Sequence, residues 1–397
     1  MQQPRPVRPG LAALSLFLAL AAAVPAAAAP SLALVAPESL RQGDPLLVWI
    51  VEVDAPTDLR PAAADAAPGG GTAADTGSPS ASAAPAQPDA ASAPGSAPPA
   101  ADEPASAVAA SSAATAVAPP APSRPTLRLL GPDGAIAAET SSFGLPSLLE
   151  PGDPSGRAFR VSGALVGLPT DLAPGSYTIV AASADGSEAG AVLSVAAREF
   201  PVELIELNEA NTAIRARPTK RQVAEAKKLF ALLAKIDGAA VYADFAPFQF
   251  PVKGGFKSAG FGDRRRYLYA GGGAEDSVHA GLDWGVVKGT AVSACERGKV
   301  VMAADRELTG KTLVVEHLPG LYSLYFHLSA IKARPGSFVE RGQVVALSGS
   351  TGLSTGPHLH WELRALGRPV DPEYWLSTPL LDKDAIKATI YGLIEGR

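Results

Sequence analysis

The sequence predicts a mainly β protein with two strand-rich parts joined by one short helix. Short apolar runs rich in Val, Ile, Leu and Tyr recur between Gly, Pro and Asp turn signals before residue 200 and again after residue 250. A helical period of apolar residues is confined to about residues 219–237. All five histidines of this 397-residue chain fall between His279 and His360, which places one candidate site in the second β part.

The ends and the composition set outer bounds. Arg5 and Arg8 precede an apolar run at 11–24 and small residues at 26–29, the pattern of a cleaved export signal over 1–29. The run is shorter than the ~20 residues of a spanning helix, so no membrane anchor is expected after cleavage. The single cysteine, Cys295, leaves no N-terminal site for a lipid and no internal disulfide. It lies in the apolar stretch Ala291-Val-Ser-Ala-Cys295 and reads as a buried, inert thiol. A formal net charge of -5 with no basic stripe excludes nucleic acid as the main partner. The expected product is periplasmic or extracellular, and soluble.

The first β part spans 30–197. Residues 46–53 form one strand candidate, followed after a gap by 126–130, 159–161, 177–182 and 190–195. Between them, 61–125 is almost wholly Ala, Pro, Ser, Gly and Thr. Such a segment cannot bury enough apolar surface to offset its chain entropy, and it reads as a disordered insertion in a loop. Short strands at this spacing suggest a β-sandwich. The phrase Leu172-Ala-Pro-Gly-Ser-Tyr-Thr-Ile179 looks like the turn and penultimate strand of an immunoglobulin-like module.

A connector at 198–245 carries the helix, expected over 219–237. Thr219 and Gln222 make a capping box after Pro218. Val223, Ala226, Leu229, Phe230, Leu233 and Ile236 supply the apolar face, and Gly238 can end it. Lys220, Arg221, Lys227 and Lys228 read as a solvated face.

The second β part spans 246–377, with strands expected at 311–317, 321–328, 337–339, 343–347 and 358–363, followed by a tail at 378–397. Helical period is absent there, so the domain is expected to be mostly antiparallel. Four of its histidines fall in three segments: His279-Ala-Gly-Leu-Asp283, Tyr325-Phe-His327 and His358-Leu-His360. Imidazole with a carboxylate is the donor set of a zinc ion that keeps an open position. Successive strand residues point to opposite faces. His358 and His360 therefore share a face while Leu359 enters the core. Ser323, Tyr325 and His327 take one face of their strand, opposite Tyr322, Leu324 and Phe326, and alternation alone is expected to aim His327 into the same groove. His317 ends a strand and reads as structural.

Together these segments resemble the lysostaphin/LytM-type zinc metallopeptidases, the peptidoglycan endopeptidase family. The resemblance covers roughly residues 250–375. It rests on the three segments above, Gly342-Gln343, the phrase Gly349-Ser-Thr-Gly-Leu-Ser-Thr-Gly-Pro-His-Leu-His360 and Pro369-Val-Asp-Pro372. It implies an antiparallel β catalytic domain, one Zn²⁺ per chain held by His279, Asp283 and His360, and catalytic roles for His327 and His358. It implies peptide stems of peptidoglycan as the partner. Relatives without activity lack some of these ligands, and this sequence departs at none of the five positions. The competing expectation is a non-enzymatic activator of a separate wall amidase. Some relatives are held latent by an upstream asparagine, for which Asn208 and Asn211 are the candidates. The absence of a recognisable wall-targeting module after Trp375 favours a D-alanyl-diaminopimelate bond over a glycine bridge.

Overall fold

The computed structural model describes residues 31–53, 124–145, 159–216 and 218–395. The expected export signal at 1–29 lies outside the described residues, as does the expected insertion at 61–125 apart from its last two residues. Strands dominate what is described.

The first part consists of two sheets packed face to face. One runs in the order Ser31–Val35, Pro45–Val53, Phe159–Gly167, Phe143–Gly144. The other runs Ser39–Arg41, Glu188–Ala196, Gly175–Ala182, Thr126–Leu130, Ile136–Ser141. Leu46, Val48 and Ile50 of the first sheet meet Leu127, Leu129, Ile179 and Leu193 of the second in one cluster. The Tyr177 hydroxyl donates to the Ala173 carbonyl at 2.7 Å, which closes the Ala-Pro-Gly turn.

Pro45–Val53 is buried along its whole length. Its even-numbered apolar residues fill the sandwich. Leu47, Trp49, Val51 and Val53 point the other way, into a second core that they share with Leu359, Trp361, Trp375, Leu380 and Ile390. Coverage on both faces is why this strand reads as an unbroken apolar run and not as an alternation. Trp49 donates its indole N–H to the Leu380 carbonyl at 3.0 Å. The described residues of both β parts thus belong to one packed unit. Residues 378–397, read from sequence as a tail, contain the helix Lys383–Glu395, whose Ile386 and Ile390 are buried in that core.

The connector helix is Lys220–Leu233, with both halves of the Thr219–Gln222 capping box formed. It ends four residues before the expected limit at 237. The Tyr322 hydroxyl takes the Lys235 carbonyl at 2.8 Å, a tertiary bond that holds the chain beyond the helix end. Leu229 and Leu233 pack on Met302, Val314, Tyr322, Leu324 and Phe326. Val223, Phe230 and Ile236 stay exposed, so the apolar period overstates the buried face. A second helix in the connector, Glu209–Ala216, has no counterpart in the sequence reading.

The second part is built on a large sheet ordered Phe256–Ala259, Leu282–Gly285, His358–Ala365, Leu321–Leu328, Gly310–Leu318, Gly298–Arg306, Phe338–Val339, with every pairing antiparallel. A small sheet of Val202–Glu206, Arg264–Leu268 and Ala274–Val278 forms one wall of the cleft above it. Register sets what the cleft sees. Asp283 and Phe326 both stand opposite His360, and directly opposed residues share a face. Leu282 and Tyr325 both stand opposite Trp361, on the core face.

Candidate metal centre

Asp283 and His360 are neighbours because two adjacent strands put them in register. His279 arrives from the segment before Leu282. Gly281 lets it pass: a Cβ there would sit 2.3 Å from the Trp361 carbonyl oxygen. His279 Nε2 then lies 3.2 Å from Asp283 Oδ2 and 3.1 Å from His360 Nδ1, and His360 Nδ1 lies 2.7 Å from Asp283 Oδ1. One donor atom from each of the three residues falls within 4.8 Å of the others, and all three side chains are buried.

The opposite side of each donor is held. His279 Nδ1 is 2.6 Å from the Gly260 carbonyl, so that ring nitrogen carries the proton and Nε2 is left bare. His360 Nε2 is 2.9 Å from Glu362 Oε1, which leaves Nδ1 to face the cluster. Arg265 Nη2 donates to Asp283 Oδ2 at 2.6 Å. Metal-ligating imidazoles need this kind of outer partner to fix tautomer and ring orientation. The donor set therefore fits a zinc ion: two histidine nitrogens and a carboxylate, each pre-aimed.

Electrostatics agree. Burial disfavours a charge on His360, yet Asp283 and Glu362 outweigh it and push the ring up to about 9. Burial would raise Asp283, but His360 and His279 hold it well below the usual carboxylate range. Glu362 is likewise opposed by burial and brought down to about 2 by Arg364 and His360. The cluster attracts positive charge to the point where the three donor atoms meet.

His327 and His358 stand beside the triad, their rings 4.8 Å apart. His358 shares the face of His360, as alternation requires, and its Nε2 is 3.7 Å from Asp283 Oδ1. His327 is a correction. Strict alternation would place it with Tyr325 on the core face, away from His360. The strand instead bulges: Lys311 opposes Leu328 and Leu313 opposes Tyr325, so Phe326 and His327 together span the single Thr312. His327 adopts φ +56°, in the left-handed region, and this turns its ring to the cleft side. His327 thus reaches the expected groove through a bulge and a left-handed backbone, and not through strand alternation.

The loop before the histidine pair orients both rings. His327 Nδ1 is 2.8 Å from the Thr351 carbonyl, and His358 Nδ1 is 2.8 Å from the Gly356 carbonyl. Both rings thus keep their proton on Nδ1. Burial, with His358 and His360 adding to it, depresses His327 to about 3, so it is neutral. His317 is fully buried between Arg297 O and Ser323 Oγ, and burial lowers it to about 4. Cys295 is buried beside it and raised by burial to about 12, an inert thiol. The asparagine plug is not what the structure contains. Asn208 accepts from the Asn211 N–H within its own helix turn, and Asn211 donates to the Ser354 carbonyl.

Glu362 and Arg265 went unread in the sequence. Glu362 had a signal, since it lies two residues after His360 and so on the same strand face. Arg265 had none, because it reaches Asp283 from the separate small sheet. Arg265→Gln is expected to lower zinc affinity by about 10–100-fold, the usual cost of losing an outer partner. Competition with a chromogenic chelator measures it, and an unchanged affinity would deny Arg265 that part.

These side chains line a cleft of about 640 Å³. Among known proteins, residues 277–372 match "Peptidase family M23". The chain is 40% identical over 115 residues to a DD-carboxypeptidase/endopeptidase of Neisseria meningitidis serogroup B, covering 28% of this chain and 26% of that protein. It is 35% identical over 125 residues to a peptidoglycan DD-endopeptidase of Vibrio cholerae, covering 31% and 29%. It is also 38% identical over 96 residues to the murein hydrolase activator EnvC of Escherichia coli, covering 24% and 23%. The chain thus spans between a quarter and a third of the first two relatives' lengths. No helix among the described residues is long and apolar enough to cross a membrane. Residues 277–372, which hold the triad and both flanking histidines, form a peptidase family M23 domain.

Proposed function

We propose that this chain is an exported zinc metalloendopeptidase that hydrolyses peptide cross-links of bacterial peptidoglycan. The observation that carries the reading is the convergence of five side chains in one cleft. His279, Asp283 and His360 aim donor atoms at one point, and His327 and His358 flank it with Nδ1 pinned to backbone carbonyls. In this assignment the triad holds the metal and the flanking pair moves protons.

When bound, zinc would polarise the scissile carbonyl and acidify a water, the chemistry of a three-ligand site with an open position. The chain's own residues do the rest. Arg265 and Glu362 hold Asp283 and His360 in place. His327 and His358 present bare Nε2 atoms to the cleft, where one can take the proton of the attacking water. Once protonated, that ring can stabilise the oxyanion of the attacked amide and return the proton to the departing amine. No serine or cysteine nucleophile is required.

We place the sandwich at 30–197, the connector at 198–245 and the catalytic domain at 246–377. The 1–29 segment supports export, and the relative named as a peptidoglycan DD-endopeptidase supports a site of action in the periplasm or at the wall. The activator relative keeps a second reading in play, in which the chain stimulates a separate amidase. The complete donor set favours the enzyme. Purified protein loaded with zinc is expected to release cross-link cleavage fragments from sacculi on its own, identified by mass. Release only after an amidase is added would overturn the peptidase reading in favour of the activator.

A further inference from the structure

Val202–Glu206 lies at the edge of the small sheet and, among the described residues, pairs on one side only, with Arg264–Leu268. The pair is parallel, so alternate residues turn both N–H and C=O to the partner strand. Two bonds fix the phase. Arg264 N–H donates to Pro201 O at 2.7 Å, and Leu207 N–H donates to Leu268 O at 2.9 Å. Residues 201, 203, 205 and 207 therefore face the partner, while Val202, Leu204 and Glu206 turn their main-chain groups outward. Among the described residues nothing bonds those outward groups. Their side chains stand on the outer face of the sheet, with Val202 75% and Leu204 66% exposed.

That free edge opens on the cleft. Glu203, Leu204, Ile205, Glu206 and Leu207 all line it. Residues of both strand faces line the cleft, which fits an edge turned toward it. The inner face is tied to the metal centre by one side chain: Arg265 bonds Glu203 at 2.9 Å and Asp283 at 2.6 Å.

We propose that this edge is the substrate-anchoring site of the peptidase, with the N–H and C=O of Leu204 as its central two-point clamp on an extended peptide. Val202 and Glu206 offer the same pair of groups one repeat to either side. Main-chain pairing to a sheet edge gives affinity without reading side chains. It suits a substrate recognised by its amides, and Leu204 alone can grip one residue whatever the hand of the next. The Glu203–Arg265–Asp283 chain fixes the anchored amide relative to the reacting one. This inference rests on the peptidase reading and deepens it.

Leu204→Pro removes the outward N–H and spares the ladder, because an edge residue that does not donate to its partner tolerates proline. Leu204→Ala removes only the exposed side chain. On soluble cross-linked muropeptide dimers, Leu204→Pro is expected to raise KM by about 5–10-fold, the cost of one hydrogen bond, with kcat and zinc content held. Leu204→Ala keeps the outward N–H and is expected to raise KM less than Leu204→Pro does. Should the proline variant fail to fold, amide hydrogen exchange on wild-type protein decides. Adding the released stem peptide to the point of inhibition should slow exchange at Leu204 and Glu206 and leave Glu203 and Ile205 unchanged. An active enzyme whose Leu204→Pro variant keeps wild-type KM, or whose exchange at Leu204 and Glu206 is untouched by bound peptide, overturns this inference alone. A zinc-loaded protein that cuts no wall peptide overturns the peptidase reading and this inference with it.

Discussion

His360→Ala is expected to lose zinc and hydrolysis together. His360 Nδ1 is one of three donor atoms, at 2.7 Å from Asp283 Oδ1 and 3.1 Å from His279 Nε2. Two donors cannot close a stable site, so affinity should fall by more than the ~100-fold that marks the upper cost of an outer partner. The change also frees Glu362, a buried carboxylate that now has Arg364 as its remaining partner at 2.6 Å. Zinc per chain after dialysis, read alongside fragment release from sacculi, checks the expectation, with circular dichroism to establish that the fold persists. A variant that keeps one zinc per chain at wild-type affinity would remove His360 from the metal set.

His358→Ala is expected to keep zinc and lose turnover. The ring shares the cleft face but makes no donor contact with His279, and its Nδ1–H is spent on the Gly356 carbonyl. Its bare Nε2 is placed for proton work. Removing a general acid or base of this kind costs about 10²–10⁴-fold in kcat. The measurements are zinc content and kcat on the same preparation. Near wild-type turnover would show that His358 is not in the reaction, and lost zinc would move it from the proton-transfer pair to the metal set.

Much of the fold was open to reading because local chemistry and tertiary environment agree in it. Thr219 and Gln222 form the capping box that their spacing promised. Leu321–Leu328 has the bounds that its apolar run suggested. The run at 46–53 announced a strand, but a linear sequence cannot tell that both its faces are covered by different layers. Trp49 makes the point: its indole reaches Leu380, more than three hundred residues away. For the same reason the segment 378–397 looked like a tail. Ile386 and Ile390 have a place to go only once the sandwich and the large sheet have come together.

The site divides along the same line. By itself the sequence determined the donor types and their clustering, because zinc chemistry demands particular residues and this chain spends nearly all its histidines on them. It also determined that His358 and His360 share a face, since alternation along a regular strand is local geometry. Only the tertiary structure decided how His327 enters the cleft. A one-residue bulge opposite Thr312 and a left-handed backbone reverse the parity, and those depend on the partner strand. It also decided that Arg265 and Glu203, from a sheet outside the histidine segments, hold Asp283 and flank the cleft. Residue identity is written in the chain, but orientation depends on what packs beside each residue, and those neighbours come from distant sequence.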